Sequence, residues 1–293
     1  MKRFLTLTLS FVLALSLSAC KAKEETPPPV QSAPAASEGT TEQKAEKIPE
    51  LTELSPVSSS AEKAEGRAPV ENYKLPEEAV DMIEWIDEGG VALLAELEEA
   101  DVAFYAIEGK EFSPALIRWG ESMAEFDWAY ITPRAVLPRL WCFDFDGDGE
   151  EELVVDCYMA SGTGVSMSDL HVVEKNGDGT LTAHTFPRKP LMSELSGYLC
   201  LVKAGNATYA NLGSEKVDIT KELKGMELDF KDYDLTTGAV LGFEKTEQGM
   251  TCRMAVRLEG KKEISYWYVA DITADVLYED GEFILDGFHL EGY

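Results

Sequence analysis

The chain has 293 residues, of which 54 are Asp or Glu and 26 are Lys or Arg, and its formal net charge is −28 at pH 7. This balance argues against nucleic acid and anionic lipid headgroups as direct partners, because binding either one depends on basic side chains that neutralise phosphates. An excess of acid of this kind keeps a surface protein soluble.

The first 20 residues combine a basic start, an apolar stretch and a cysteine at the end. Lys2 and Arg3 supply a positive start, residues 4–17 are mainly apolar, and small residues precede Cys20. The apolar stretch is short for a membrane span, which argues against a retained transmembrane helix. Its end resembles a lipobox, and this resemblance implies that residues 1–20 are a bacterial lipoprotein signal peptide and that Cys20 becomes the lipidated first residue of the mature protein. We therefore expect an extracytoplasmic protein that is anchored to a bacterial membrane by lipid.

Residues 21–72 contain no Phe, Trp or Tyr and are rich in Pro, Ala, Ser, Thr, Glu and Lys. Such a segment cannot bury enough apolar surface to fold, so it is predicted to be a disordered tether with a reach of roughly 40 Å. Residues 73–293 are then predicted to form a single folded domain. Deleting the tether is expected to leave the stability of that domain unchanged.

Three helices are predicted at the start of the folded domain. The first begins at Pro76, which is followed by two acids, and ends at Gly89. A second, short helix is predicted over residues 91–99. The third begins at Ser113 and has one apolar face. That face consists of Leu116, Trp119, Met123 and Phe126.

Beyond Pro138, short apolar runs alternate with turn dipeptides, which is typical of β-hairpins. These dipeptides are Asn176-Gly177, Asp178-Gly179, Gly205-Asn206 and Asp280-Gly281. Their acids are interpreted as turn formers rather than as metal ligands. The predicted fold class is therefore α+β, with N-terminal helices packed on a mainly antiparallel sheet or sandwich-like domain.

The most specific motif is the segment 144–153, which reads DFDGDGEEEL and carries a carboxylate at every second position. In a tight turn, these carboxylates would repel one another unless a cation bound between them. Calcium accepts six to eight oxygen ligands in flexible geometry, and the two glycines allow the chain to curl around it. We therefore predict a calcium site. The alternative is an acidic hairpin turn that binds no metal.

The segment is not an EF-hand. An EF-hand needs a bidentate acid at loop position twelve, where this chain has Val155, and a helix on either side. The flanking runs 140–143 and 153–155 are instead predicted to be β-strands. Glu152, at position nine, is predicted to be the closing ligand.

The pattern resembles the calcium loop of FG-GAP and VCBS-type repeats, which occur in integrin-like propeller blades and in bacterial surface proteins. It occurs once, so the resemblance does not extend to a propeller, which needs several blades. The resemblance implies one ligand that acts through its backbone carbonyl, Glu150. It implies four ligands that act through their side chains, namely Asp144, Asp146, Asp148 and Glu152.

The cysteines after Cys20 are Cys142, Cys157, Cys200 and Cys252. An extracytoplasmic location permits disulfides, and Cys142 and Cys157 lie on strands that are predicted to be adjacent. Isolated strand cysteines also pack as small hydrophobic residues. The sequence therefore leaves their disulfide state open.

The sequence contains no recognised catalytic motif. Its three histidines are isolated, and its cysteine spacing does not suit zinc. The glycine-rich segment 161–166 lacks the lysine and helix of a phosphate-binding loop and is interpreted as a mobile turn. The run 266–268 contains three aromatic residues that alternate between two faces, so it is interpreted partly as core and partly as a stacking surface for sugars or peptides.

Two functions remain open. The first is a non-enzymatic surface lipoprotein whose calcium-braced domain binds cell-wall glycan, peptide or another protein. The alternative is an extracytoplasmic hydrolase that acts on glycan or cell-wall substrate through scattered acids. The tether and the missing catalytic motifs favour the first. The wider stretch 126–174 is similar to ectodomains of Firmicutes lipoproteins and membrane proteins, and this similarity implies no particular function.

Overall fold

The computed structural model describes residues 53–69, 73–78, 90–107, 114–132, 136–226, 230–262 and 265–293, and the statements that follow concern these residues. The predicted signal peptide with Cys20, most of the predicted tether and most of the first predicted helix lie outside them. Within the described residues, no helix has the length and apolar character needed to cross a membrane.

Most of the described residues form β-strands, and one α-helix accompanies them. The first strands are β1 (Val57–Ser60), β2 (Glu62–Glu65), β3 (Val91–Leu97), β4 (Val102–Ile107), β5 (Ala115–Trp119) and β6 (Ser122–Phe126). The middle elements are β7 (Arg139–Phe143), β8 (Glu152–Gly162), β9 (Val165–Lys175), β10 (Leu181–Thr185), helix α1 (Arg188–Tyr198), β11 (Leu199–Ala204), β12 (Ala207–Leu212) and β13 (Glu215–Asp218). The last strands are β14 (Tyr233–Lys245), β15 (Met250–Gly260), β16 (Tyr266–Glu279) and β17 (Glu282–Gly292). Short 3₁₀ turns occupy Glu98–Ala100 and Phe230–Asp232.

The described strands form sheets of ten, four and three strands. Strands β3 to β6 make an antiparallel meander, and β11 to β13 make a second one. The large sheet follows the path β1-β17-β16-β15-β14-β9-β10-β2, and β8 and β7 branch from it at β9. Both ends of the path therefore belong to strands that are consecutive in the chain.

Residues 57–65, called the strap below, join the two ends of the large sheet. Its first strand, β1, pairs with β17, and its second strand, β2, pairs with β10. Val57 is buried in the main core at 1% exposure. The strap lies inside the predicted tether 21–72, so the predicted domain boundary at Tyr73 is wrong for this segment. Composition does not show this, because the strap is held mainly by backbone pairing rather than by large apolar side chains.

The α+β prediction is wrong, because two predicted N-terminal helices are strands. Residues 91–97 form β3, whose Ala, Leu and Glu favour a helix, but pairing with the fully buried β4 outweighs that propensity. The third predicted helix is the β5–β6 hairpin, with a turn at Gly120, where φ is +60°. The first predicted helix is described only at residues 76–78, which are not helical.

The C-terminal half is a largely antiparallel β structure, as predicted. The predicted turns at 176–179, 205–206 and 280–281 connect β9 to β10, β11 to β12 and β16 to β17. In the last of these, Asp280 and Gly281 both have positive φ, +48° and +78°, as a tight hairpin requires. Helix α1 has no counterpart in the sequence prediction. It packs Leu191 and Leu195 into the main core.

Strand β9 is the branch point of the large sheet. One of its edges pairs with β8 along residues 165–173. The other edge is shared, because residues 166–167 pair in parallel with β14 and residues 171–175 pair with β10. Alternate side chains of β9 reach different cores: Val172 lies in the main core, and Val173 lies in the core that includes the four-stranded sheet.

The four cysteines that the structure describes carry free thiols. Cys142 stands opposite Leu153 in the β7–β8 register, so it does not face Cys157. Burial raises the pKa of Cys252 to about 12, which keeps this thiol protonated. The described cysteines therefore behave as packed side chains in this structure.

Candidate metal centre

The acidic loop connects β7 to β8, which pair antiparallel and confirm the two strands predicted on either side of it. Phe143 stands opposite Glu152, so the ends of the loop are held side by side. Gly147 and Gly149 have φ of +80° and +95°, a region that glycine enters without strain. The chain therefore curls tightly between two fixed strand ends.

Three of the predicted ligands converge in this loop. Among the described residues, carboxylate oxygens of Asp144, Asp146 and Glu152 lie within 4.8 Å of one another. Two oxygens on opposite sides of a calcium ion are about 5 Å apart, because each bond to the ion is about 2.3–2.6 Å long. The three carboxylates are therefore close enough to share one ion.

Backbone amides of the loop orient these carboxylates. Asp144 Oδ1 accepts a hydrogen bond from the amide of Gly147 at 2.8 Å. Glu152 Oε2 accepts one from the amide of Phe145 at 2.7 Å. Such bonds fix the side chains before any ion binds, which reduces the entropy lost on binding.

Glu152 is the buried member of the group, with 4% exposure. The pKa of its carboxyl group is raised to about 7, mainly by burial. The nearby Asp146 and Asp148 carboxylates also raise this pKa, whereas the hydrogen bond from the Phe145 amide lowers it. A buried carboxylate beside other carboxylates is costly unless a counter-charge is present. A divalent cation in the loop would supply that counter-charge.

No protein-family model, curated protein or solved structure matches this chain. The assignment of a metal therefore depends on the donor chemistry of the loop. The donors are carboxylate oxygens only, which suit a hard cation such as calcium rather than a metal that prefers sulfur or imidazole. The residues present fit the predicted calcium ion.

Asp148 and Glu150, the other two predicted ligands, lie outside the group of converging carboxylates. Both residues are exposed, and Asp148 Oδ1 accepts a hydrogen bond from the amide of Glu150 at 2.7 Å. Ligation by the Asp148 side chain and by the Glu150 carbonyl stays a prediction.

A cavity of about 790 Å³, called the loop cavity below, opens beside the metal loop. Glu174 of β9 and His184 of β10 contribute to its wall, and His184 Nε2 lies 3.5 Å from Glu174 Oε2. Tyr278 of β16 donates a hydrogen bond to Glu174 Oε1 at 2.5 Å. The acids that line the cavity are Asp146, Asp148, Glu150, Glu151, Glu152, Glu174 and Asp280. This density of carboxylates makes the cavity attractive to cations.

Sequence reasoning missed Glu174, His184 and Tyr278 as neighbours of the metal loop. Each belongs to a different strand, and the order of strands in the large sheet brings them together. The available signal was a polar residue at a buried strand position, which His184 shows at 7% exposure. A single sequence cannot distinguish such a residue from an ordinary strand histidine.

The glycine-rich segment 161–166 forms the turn between β8 and β9. The Tyr268 hydroxyl donates a hydrogen bond to the Gly164 carbonyl at 2.5 Å, and the Tyr266 hydroxyl donates one to the Thr163 carbonyl at 3.3 Å. Trp267 packs against the main core. The alternation predicted for this aromatic run is confirmed, and its two tyrosines anchor the hairpin turn.

Proposed function

We propose that the protein is an extracytoplasmic, lipid-anchored binding module whose β domain is braced by one calcium ion in the loop 144–152. The observation that carries the proposal is the convergence of Asp144, Asp146 and Glu152 between two paired strands. The calcium is structural, because its ligands come from one continuous segment and three carboxylates already exceed the charge of the ion. Catalytic metals instead keep a position open for a reacting water.

The membrane anchor is supported by the sequence of residues 1–20 and by Cys20 at its end. A binding role is supported by the sequence, in which no recognised catalytic motif occurs. Cell-wall glycan, peptide and protein are the ligand classes that suit a domain held at a bacterial surface. Nucleic acid is disfavoured by the net charge of −28.

Calcium titration with thermal unfolding tests the metal site. Extracellular calcium modules bind at roughly 0.1–1 mM, so millimolar calcium should stabilise the domain by on the order of 1 kcal/mol. For a domain of this size that corresponds to a rise in Tm of about 2–4 °C. Chelator should reverse the rise.

Two loop variants with the same change of charge sharpen this test. Asp146→Asn alters a converging carboxylate and should abolish the calcium response. Glu150→Gln alters an exposed side chain outside the group and should retain it. An Asp146→Asn protein that is still stabilised by calcium would refute the site.

Membrane fractionation tests the anchor. Cys20→Ser should move the protein from the membrane fraction to the soluble fraction, because acyl chains can no longer be attached at this position. A Cys20→Ser protein that stays in the membrane fraction would contradict the proposal.

A further inference from the structure

A second cavity lies where β14 leaves β9. It has a volume of about 570 Å³, within the range of small-molecule sites, and is called the branch cleft below. Its lining includes residues of β7, β8, β9, β14 and β15 and none of the three converging loop carboxylates. The branch cleft is therefore distinct from the metal centre.

Along one face of β8 and of β9, the side chains change from apolar to polar where the strands reach the branch cleft. Alternate residues of each strand face the main core, where Val154 and Leu170 are fully buried. The next positions on the same faces are Asp156 and Ser168, which line the cleft. Buried polar groups are costly unless they are paired, so this switch from apolar to polar side chains requires polar partners in the cleft.

Asp156 supplies a buried acceptor, with 4% exposure. Its Oδ2 accepts hydrogen bonds from Arg139 Nε at 2.9 Å and from Arg139 Nη2 at 2.5 Å. Its Oδ1 is buried and has no hydrogen-bond partner among the described residues. Burial raises the pKa of the carboxyl group, and the Ser168 hydroxyl lies near enough to lower that pKa against this larger effect. A carboxylate oxygen in this state needs a donor.

Arg253 supplies an accessible donor. It binds Asp271 through Nε and Nη2, and 67% of its side chain is exposed. Within the described residues, no hydrogen bond is made by its Nη1. Gly242 stands opposite Arg253 in the β14–β15 register, and a Cβ on Gly242 would meet nothing within 4 Å. An exposed guanidinium beside open space is suited to a ligand carboxylate.

We propose that the branch cleft binds an amino acid or short peptide as a zwitterion, with its carboxylate at Arg253 and its ammonium group at Asp156. Asp156 and Arg253 line one cavity, so a ligand that carries both charges matches them. The other charged residues of the lining are Glu244, Glu291 and Arg139, the last of which is bound to Asp156. Leu137 and Leu241 line the same cavity and supply apolar surface for a ligand side chain. A zwitterion has no net charge, so the acidity of the protein does not repel it. The proposal specifies the ligand of the binding module proposed above and rests on that function.

Isothermal titration calorimetry of the full-length protein in detergent, with dialanine and trialanine as probes, tests the proposal. At least one probe should bind with a Kd below about 1 mM. N-acetylation or C-amidation of that probe should weaken binding about tenfold or more, because each removes one charged contact. A failure of both probes to bind, or equal binding of the capped peptides, would overturn the proposal, as would binding of a neutral chitin trisaccharide in their place.

Variants assign the contacts. Arg253→Gln should weaken binding of the free peptide about tenfold and make the free and amidated peptides equivalent. The matched control is Arg257→Gln on the same strand, whose side chain pairs with Glu259 and does not line the cleft, and it should bind normally. Gly242→Trp should block the cleft without changing its charge. Wild-type binding by Gly242→Trp would refute the location.

The calcium response is measured on the same samples. One outcome is that calcium stabilises the protein, but the peptides do not bind or bind equally well with and without N-acetylation and C-amidation. This outcome overturns the branch-cleft proposal alone. The other outcome is that the peptides bind with the expected dependence on both charges, but calcium does not stabilise the protein. This outcome overturns the proposed metal centre alone.

Discussion

Deletion of the strap is expected to destabilise the domain, whereas deletion of the chain before it is not. The first truncation removes residues 21–52 and leaves β1 and β2 in place. The second removes residues 21–69 and takes both strands away, which leaves β17 and β10 without the partners that close the large sheet. The two proteins differ by only 17 residues, all of which the structure describes.

The expected loss in free energy of unfolding is calculated from the buried contacts of the strap. Val57 is 1% exposed, and burying a valine side chain stabilises a fold by about 1.5–3 kcal/mol. The two backbone ladders also stabilise the domain, although the entropy lost in ordering the segment offsets part of that gain. The burial of Val57 is therefore taken as the lower bound on the stability that the strap contributes. A loss of about 2 kcal/mol in a domain of this size lowers Tm by about 4–8 °C.

Thermal unfolding of both truncations by circular dichroism gives the comparison. The shorter deletion should melt at the wild-type temperature, and the longer one should melt at least about 4 °C lower. Val57→Ala should reproduce part of the loss, whereas Ser58→Ala, at the exposed neighbouring position, should not. Wild-type melting of the longer truncation would refute the structural role of the strap.

Two further changes test the packing around the strap and the buried histidine. Gly66→Ala should destabilise the domain by about 1–3 kcal/mol in chemical denaturation, because the added Cβ would lie 2.6 Å from the Ala124 Cβ. The control is Gly177→Ala, whose Cβ would meet nothing within 4 Å, and it should be close to neutral. Burial lowers the pKa of His171 to about 3, below the unfolded value near 6.5, so the unfolded chain takes up the proton first and stability falls as pH drops below 6.5. His171→Gln should lessen that fall by up to about 1.4 kcal/mol per pH unit. Equal pH dependence of the wild-type and His171→Gln proteins would contradict the buried neutral state.

The hairpins of the C-terminal half are predictable because their turn chemistry is local. Asp280 and Gly281 take the positive φ angles that a tight turn needs, and the sequence shows both residues directly. The metal loop is predictable for the same reason, since its acids and glycines lie within ten consecutive residues. In each case, the residues that determine the local structure are close together in the sequence.

The N-terminal strands could not be predicted from such windows. Residues 91–97 consist mainly of residues that favour helices, and only pairing with β4 makes them a strand. The segment 115–126 offers a helical spacing of apolar residues, although Gly120 in its centre is also a turn signal and has positive φ in the hairpin. The strap is the extreme case, because its partners lie more than 100 residues away in the chain.

The neighbours of the metal loop depend on the strand order in the same way. Glu174 and Tyr278 meet because β9 and β16 come near each other in the folded sheet, and their separation in sequence is 104 residues. The charged pair of the branch cleft, Asp156 and Arg253, comes from β8 and β15. No periodicity or motif in one sequence links residues of this kind.

The strap also determines how the domain carries mechanical load. A pull on the chain before residue 57 enters the fold through β1 and then β2, which are bonded sideways to β17 and β10. Force directed along β1 shears its ladder with β17 instead of opening one bond at a time. Forced unfolding is governed by the height of the barrier to rupture. Pulling from the N-terminal side should therefore meet greater resistance than peeling the same ladder open from one end, which suits the lipid-anchored role proposed above.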